Sequence, residues 1–182
     1  DKRFNKQFLM EQARSFVWGI QPTIANYQSR LAVERADEIK YLLDLAKVRN
    51  RGLPYLLYGK FMKSPDISSP TEAFDISRLS IYAGKTGNTV TTFRDTFPLI
   101  YYGTWQSANK QIGIALASIS DHPFKVEFTL NPADYELAPS GKIYLMDAEG
   151  RKLLSSYTKS KVYVHFTLQA KGLCIVELIP DK

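Results

Sequence analysis

The chain has 182 residues, a formal net charge of +6, 45% hydrophobic and 23% charged residues, one cysteine and two histidines. This length exceeds the common single domain of about 100–150 residues and suits one domain with an appendage. The composition excludes a disordered tail, a collagen-like repeat and a low-complexity array. One cysteine excludes an internal disulfide framework or a cysteine-built zinc site, and no apolar run reaches the roughly 20 residues of a membrane-spanning helix. The basic balance permits a polyanion, but basic runs such as Lys159-Ser160-Lys161 are short and scattered. Apolar positions Phe4, Phe8 and Leu9 follow at once on an initial Asp, which leads us to expect a fragment of a larger protein.

In chain order, Phe4, Phe8, Leu9 and Ala13 fall at spacings that predict a short amphipathic helix ending near Arg14. Ser15 to Ile20 follows as a short apolar run closed by Gln21-Pro22 and is read as a buried strand. From Val33 to Asn50 the residues Val33, Ala36, Ile39, Leu42, Leu43, Leu45 and Ala46 recur at helical spacing. Acidic residues crowd the first turns of this segment and basic ones the last, with Gly52 placed for a left-handed terminus. Leu53-Pro54 then opens a further apolar stretch, Tyr55 to Met62, which could be helix or strand and is read as a continuing helical turn. Lys63 to Ser80 is read as an irregular connection and Gly84 to Asn88 as a turn cluster.

Beyond this connection the period becomes two. Val126, Phe128 and Leu130 alternate with polar neighbours, as do Val162, Val164, Phe166 and Leu168. Further strands are expected at Tyr101-Tyr102, 111–119, 142–146, 153–157 and 173–179, a spacing that argues an antiparallel β-sandwich. In the last of these, Cys174, Val176 and Leu178 are placed inward because the other register would bury Glu177.

No motif of a serine hydrolase, phosphate-binding loop, zinc protease or dinucleotide fold occurs, so no cofactor and no metal are expected. Glu34, Asp37 and Glu38 read as a solvated helix start, Asp121-His122 as turn chemistry, and Cys174 as a small buried hydrophobe. Tyr101, Tyr102 and Trp105 could stack on sugar rings, or serve as cross-strand packing. Nucleic acid is not expected as a partner, because no basic residue interleaves with these rings before Lys110.

The order of several segments carries a resemblance. A helix is followed by Ala-Arg-Ser-Phe-Val-Trp-Gly-Ile-Gln-Pro, then Glu38-Ile-Lys-Tyr-Leu-Leu-Asp-Leu-Ala-Lys-Val-Arg49, then Tyr55-Leu-Leu-Tyr-Gly-Lys-Phe-Met62 with Pro65 beyond it. Tyr102-Gly-Thr-Trp105, Asn109 and Gly113-Ile-Ala-Leu-Ala-Ser-Ile-Ser120 come next. This succession resembles the C-terminal part of a large bacterial family of glycoside-hydrolase-like (β/α)8-barrel proteins with a trailing β-sandwich, common in gut-dwelling bacteria and largely of unknown function. Where relatives close the last segment with Asn-Ile, this chain has Ser118-Ile119-Ser120.

The resemblance implies an α/β segment at 1–65 forming the helix-strand-helix end of a barrel, a connection at 66–88 and an antiparallel β-sandwich at 89–182. It implies catalytic carboxylates on upstream strands that this chain does not contain, with the sandwich stabilising the barrel. Trp18, Gln21 and Asn26 would contribute to the rim of a sugar site. The partners would be the upstream barrel portion and an oligo- or polysaccharide, in a periplasmic or cell-surface setting. The chain alone would then be inactive. Two other readings compete with this one, a non-catalytic carbohydrate-binding β-sandwich using Tyr101, Tyr102 or Trp105, and a structural module with a complete core. A fragment should instead leave Phe16, Trp18 and Ile20 as an exposed apolar edge.

Overall fold

The computed structural model describes residues 4–23, 27–78, 91–158 and 161–181. Its first element, helix α1 (Asn5–Val17), buries Leu9, Met10, Ala13, Phe16 and Val17 along one stripe. The run from Ser15 to Ile20 is therefore the last turn of a helix and its cap, not a strand. The Ile20 N–H donates to the Ser15 carbonyl (2.8 Å) and the Gly19 N–H to that of Phe16 (3.0 Å). With Gly19 at φ +73° this pair of bonds is a Schellman terminus, which satisfies carbonyls that the helix end would otherwise leave open.

Helix α2 (Leu31–Glu34) breaks at Arg35, and helix α3 (Ala36–Arg51) follows. Its buried stripe is Glu38, Tyr41, Leu45 and Val48, whereas Val33 and Leu43 are exposed. Tyr41 brings a large ring to the core, and the Glu38 carboxylate is satisfied by Arg35 at 2.8 Å. Gly52 has φ −88°, so its role is not a left-handed terminus. A Cβ there would lie 2.2 Å from Ile175 Cδ1, so glycine permits the close approach of helix and sheet. Helix α4 (Leu53–Leu56) carries Pro54 in its first turn, as read from the sequence.

Among the described residues ten strands follow, all antiparallel where paired: β1 (Lys60–Met62), β2 (Thr71–Arg78), β3 (Thr91–Pro98), β4 (Ile100–Gln106), β5 (Ile112–Ser118), β6 (Phe124–Leu130), β7 (Gly141–Met146), β8 (Arg151–Tyr157), β9 (Val162–Leu168) and β10 (Leu173–Pro180). Six of them form one sheet in the order β1-β4-β5-β10-β7-β8. One face packs Ile112, Ile114, Leu116, Val176 and Leu178 against Val126, Phe128, Val162 and Val164 of the β6–β9 pair. The opposite face packs Ala115, Ala117 and Ile175 against Phe16, Tyr41, Leu45 and Tyr55 of the helices. Covered on both faces, β5 is buried throughout and reads as a near-continuous apolar run, Ile-Gly-Ile-Ala-Leu-Ala-Ser.

The β2–β3 hairpin lies against α1. Gln7 Oε1 accepts from the Ser77 N–H (2.8 Å), Gln7 Nε2 donates to the Ser77 carbonyl (3.1 Å), and Lys6 pairs with Glu72. Thr71–Arg78 was expected to be irregular and is strand. The turn cluster read at Gly84 to Asn88 lies outside the described residues.

The architecture corrects the expected fold class. The first part of the chain is not the helix-strand-helix end of a (β/α)8 barrel, because no parallel strand exists among the described residues and the segment expected to supply one is helical. Its helices instead cover an antiparallel sheet. The expected apolar edge is also partly internal: Phe16 is 0% exposed, while Trp18 is 49% and Ile20 53% exposed.

Candidate functional site

The edge formed by β1 and β4 presents a different surface on each of its two faces. On the helix side, the Trp105 indole N–H donates to the Val17 carbonyl (3.0 Å), and Phe61 meets Trp105 edge-on at 4.9 Å. This arrangement is possible because Gly103 lets α1 approach closely: a Cβ there would lie 2.4 Å from the Val17 oxygen. Gly19 is similarly pressed against the Leu56 carbonyl and the Trp105 ring. Around this contact Trp18, Ile20, Leu57, Tyr58 and Phe61 are all about half exposed or more. Single exposed apolar residues are ordinary, but a contiguous group marks a contact surface. The Arg14 guanidinium lies 4.8 Å from the centroid of Trp18, a cation–π contact at its border.

On the sandwich side a groove of about 880 Å³ runs between the β1–β2 link and the end of β6 with its following 3-10 turn, Pro132–Tyr135. Tyr102 and Met62 are half-buried and pack on the sandwich core, while Tyr135 is buried. Asp66, Asp134, Asn131, Lys63 and Lys161 supply polar groups to the rim. The walls are tied together. The Tyr135 hydroxyl donates to the Lys63 carbonyl (2.9 Å), the Gln106 amide donates to the Tyr135 carbonyl (2.8 Å), and the Thr104 hydroxyl meets that of Ser64 at 3.0 Å. Asn131 is oriented by its own cap, accepting from the Ala133 N–H at 3.1 Å.

These two surfaces account differently for the residues singled out in the sequence. Trp18 and Gln21 both lie exposed beyond the end of α1, not after a barrel strand, and Asn26 lies outside the described residues. Of the three aromatics considered as a stacking platform, Trp105 is committed to Val17 and Phe61. Tyr101 is half-buried on the helix side, where desolvation pushes its phenol up to about 12 against the opposing pull of Arg14. Only Tyr102 of the three lines the groove. The remaining groove residues come from sequence-distant loops with no shared spacing, and sequence reasoning missed them.

The other candidates are structural. Partial burial pushes the Asp121 carboxyl up, but Lys171 (3.3 Å) and Lys6 (3.5 Å) outweigh this and hold it below the usual carboxylate range. His122 donates its backbone N–H to Ser120 Oγ in the same turn. Cys174 is buried and its thiol is pushed up by desolvation, the state of an inert core cysteine. Glu38 departs from the solvated reading, being 9% exposed and paired with Arg35. The least expected ionic group is Glu177, 7% exposed on β10, which accepts from the Tyr55 hydroxyl (2.9 Å) and from Arg151 Nε (2.5 Å). Burial is the main cause pushing the Tyr55 phenol up, reinforced by the Glu177 charge. Among the described residues no three His, Cys, Asp or Glu side chains gather as a metal would require, and no helix is long and apolar enough to cross a membrane.

The sequence matches no family model and no curated protein. Solved structures with partial similarity include three glycoside hydrolases. A provisionally assigned α-N-acetylgalactosaminidase from Bacillus halodurans C-125 has a TM-score of 0.42 and 12% identity, over 97% of this chain and 31% of that one. A GH27 β-L-arabinopyranosidase from Geobacillus stearothermophilus, in complex with arabinose, has a TM-score of 0.32 and 19% identity, over 46% and 18%. α-Galactosidase I from Mortierella vinacea has a TM-score of 0.29 and 16% identity, over 44% and 21%. The chain thus spans about a third of the length of the first of these, and at such scores the overlap is too loose to assign it a family.

Proposed function

We propose that this chain is an accessory β domain in the C-terminal portion of a glycoside-hydrolase polypeptide, and that the catalytic carboxylates lie on another portion of that polypeptide. The observation that carries the reading is the exposed group Trp18, Ile20, Leu57, Tyr58 and Phe61, set around the Gly19–Trp105 contact. A surface of this kind is suited to rest on a neighbouring domain. The resemblance of the later segments, from Tyr102 to Ser120, to the trailing β domain of glycoside-hydrolase-like proteins supports the enzyme class and a periplasmic or cell-surface setting.

In this reading the chain by itself does no hydrolysis. Glycosidic cleavage requires two carboxyl groups about 5–5.5 Å or 6.5–9.5 Å apart, one of them a general acid kept in a desolvated setting. Asp66 and Asp134 share the groove but both are open to water. Trp18 and Gln21 then belong to the domain contact.

The test uses the full polypeptide beside this chain, assayed for release of reducing sugar from neutral polysaccharides. Trp18→Ser with Phe61→Ser should lower the temperature at which the full polypeptide loses activity, and the 182-residue chain should release no sugar. Hydrolysis by the chain alone, or unchanged heat tolerance in the double variant, would overturn the proposal.

A further inference from the structure

The groove on the sandwich side has a chemistry that the domain contact leaves unused. Its walls are cross-tied by Tyr135, Gln106, Thr104 and Ser64, so it is formed before anything enters it. Its volume of about 880 Å³ falls within the range of about 300–1,000 Å³ usual for small-molecule clefts, with room for more than one ring. Met62, Tyr102 and Pro65 give it a partly apolar floor. Around that floor stand Lys63 and Lys161, which donate, Asp66 and Asp134, which accept, and Asn131, which does both. Lys63, Asp66 and Lys161 form no side-chain hydrogen bond or ion pair within the described residues, so their capacity is free for a ligand.

Two features of this set narrow the ligand. First, the two lysines and two aspartates cancel, so the groove is balanced although the whole chain carries +6, and it gives no preference to a polyanion. Second, the groove brings both donors and acceptors beside an apolar and aromatic surface. A sugar ring has the complementary form, with a C–H face that packs on a tyrosine and hydroxyls that each donate and accept. We infer that the groove lined by Tyr102, Asn131, Asp134, Asp66, Lys63 and Lys161 is a binding site for a neutral oligosaccharide. The inference stands on the groove and holds whether or not the parent polypeptide hydrolyses glycosides.

The experiment titrates ¹⁵N-labelled chain with four neutral tetrasaccharides, of glucose, galactose, mannose and xylose, and with tetragalacturonate as the anionic counterpart. At least one neutral probe should give saturable amide shifts at Tyr102, Asn131 and Tyr135, at least tenfold tighter than tetragalacturonate. Tyr102→Ala should weaken this binding tenfold or more. Because Tyr102 also packs on the core, Asp134→Ala and Lys161→Ala test the same site at exposed positions and should each weaken it severalfold, with Leu43→Ala, exposed on α3 across the sheet, as a control without effect. Shifts with none of the neutral probes would overturn the inference. So would binding that the rim variants leave intact, or tighter binding of tetragalacturonate that collapses with salt.

Discussion

Replacing Gly19 by alanine has opposite effects on stability in a strand and in a helix terminus. In a strand, alanine improves on glycine by about 0.5–1 kcal/mol, because glycine loses more chain freedom on folding. In the Schellman turn Gly19 is held at φ +73°, where an L-residue costs roughly 1–2 kcal/mol. The added Cβ would also lie 2.4 Å from the Leu56 carbonyl oxygen and 3.1 Å from the Trp105 ring. Neither can swing aside freely, since one is backbone and the other is held by the Val17 carbonyl, and such overpacking costs about 1–3 kcal/mol. Gly19→Ala should therefore destabilise the chain by about 2–5 kcal/mol. With a urea slope of about 2 kcal/mol/M, the unfolding midpoint should fall by roughly 1–2.5 M at unchanged slope. Phe16→Ala calibrates the same assay: a fully buried phenylalanine should cost about 3–5 kcal/mol, while half-exposed Trp18→Ala should cost far less. A midpoint that stays or rises in Gly19→Ala would refute the helical terminus and with it the revised fold.

Two further outcomes follow from the ionic groups. Arg151→Ala strips Glu177 of one of its two partners in a buried strand and should cost about 1.5–3 kcal/mol, less than a fully buried pair because the arginine side chain is 44% exposed. In a double-mutant cycle read by urea unfolding, Arg151→Ala with Glu177→Gln should cost less than the sum of the single changes, and strict additivity would deny the pair. Asp121, held below its ordinary range by Lys171 and Lys6, should contribute stability above the unfolded carboxyl value of about 3.9, lost as pH falls through the lower folded value. Asp121→Asn should remove that part of the acid limb and leave the two proteins alike at still lower pH, as acid titrations followed by circular dichroism would show.

What the sequence revealed tracks how each segment is buried. β9 is covered on one face only, so Val162, Val164 and Leu168 point inward and Tyr163, His165 and Thr167 outward, the alternation the sequence displays. β10 is covered on both faces. Cys174, Val176 and Leu178 do face the sandwich core, yet Glu177 is buried all the same, since partners from Tyr55 and Arg151 reach it across more than twenty residues of chain. Trp18-Gly19 was misread because apolar run and following proline suit a strand end and a Schellman terminus alike, and the deciding contact with Leu56 and Trp105 is remote in sequence. In α3 the partner is local instead: charged Glu38 joins the buried stripe because Arg35, three residues before it, neutralises it. The β2–β3 hairpin exposes most of its side chains, so no periodic pattern was required of it. The groove draws on four separate stretches, and of its residues only Tyr102 stood out beforehand as a ligand contact.

The strand order bears on biosynthesis. β10, the latest of the described strands to leave the ribosome, occupies the middle of the six-stranded sheet, pairing with β5 on one side and β7 on the other. Until it arrives, β1-β4-β5 and β7-β8 are two sheet pieces with open edges, a condition that invites aggregation and calls for chaperones. A nascent chain stalled before Leu173 cannot close the sheet, whereas proteolytic trimming beyond Pro180 leaves it whole.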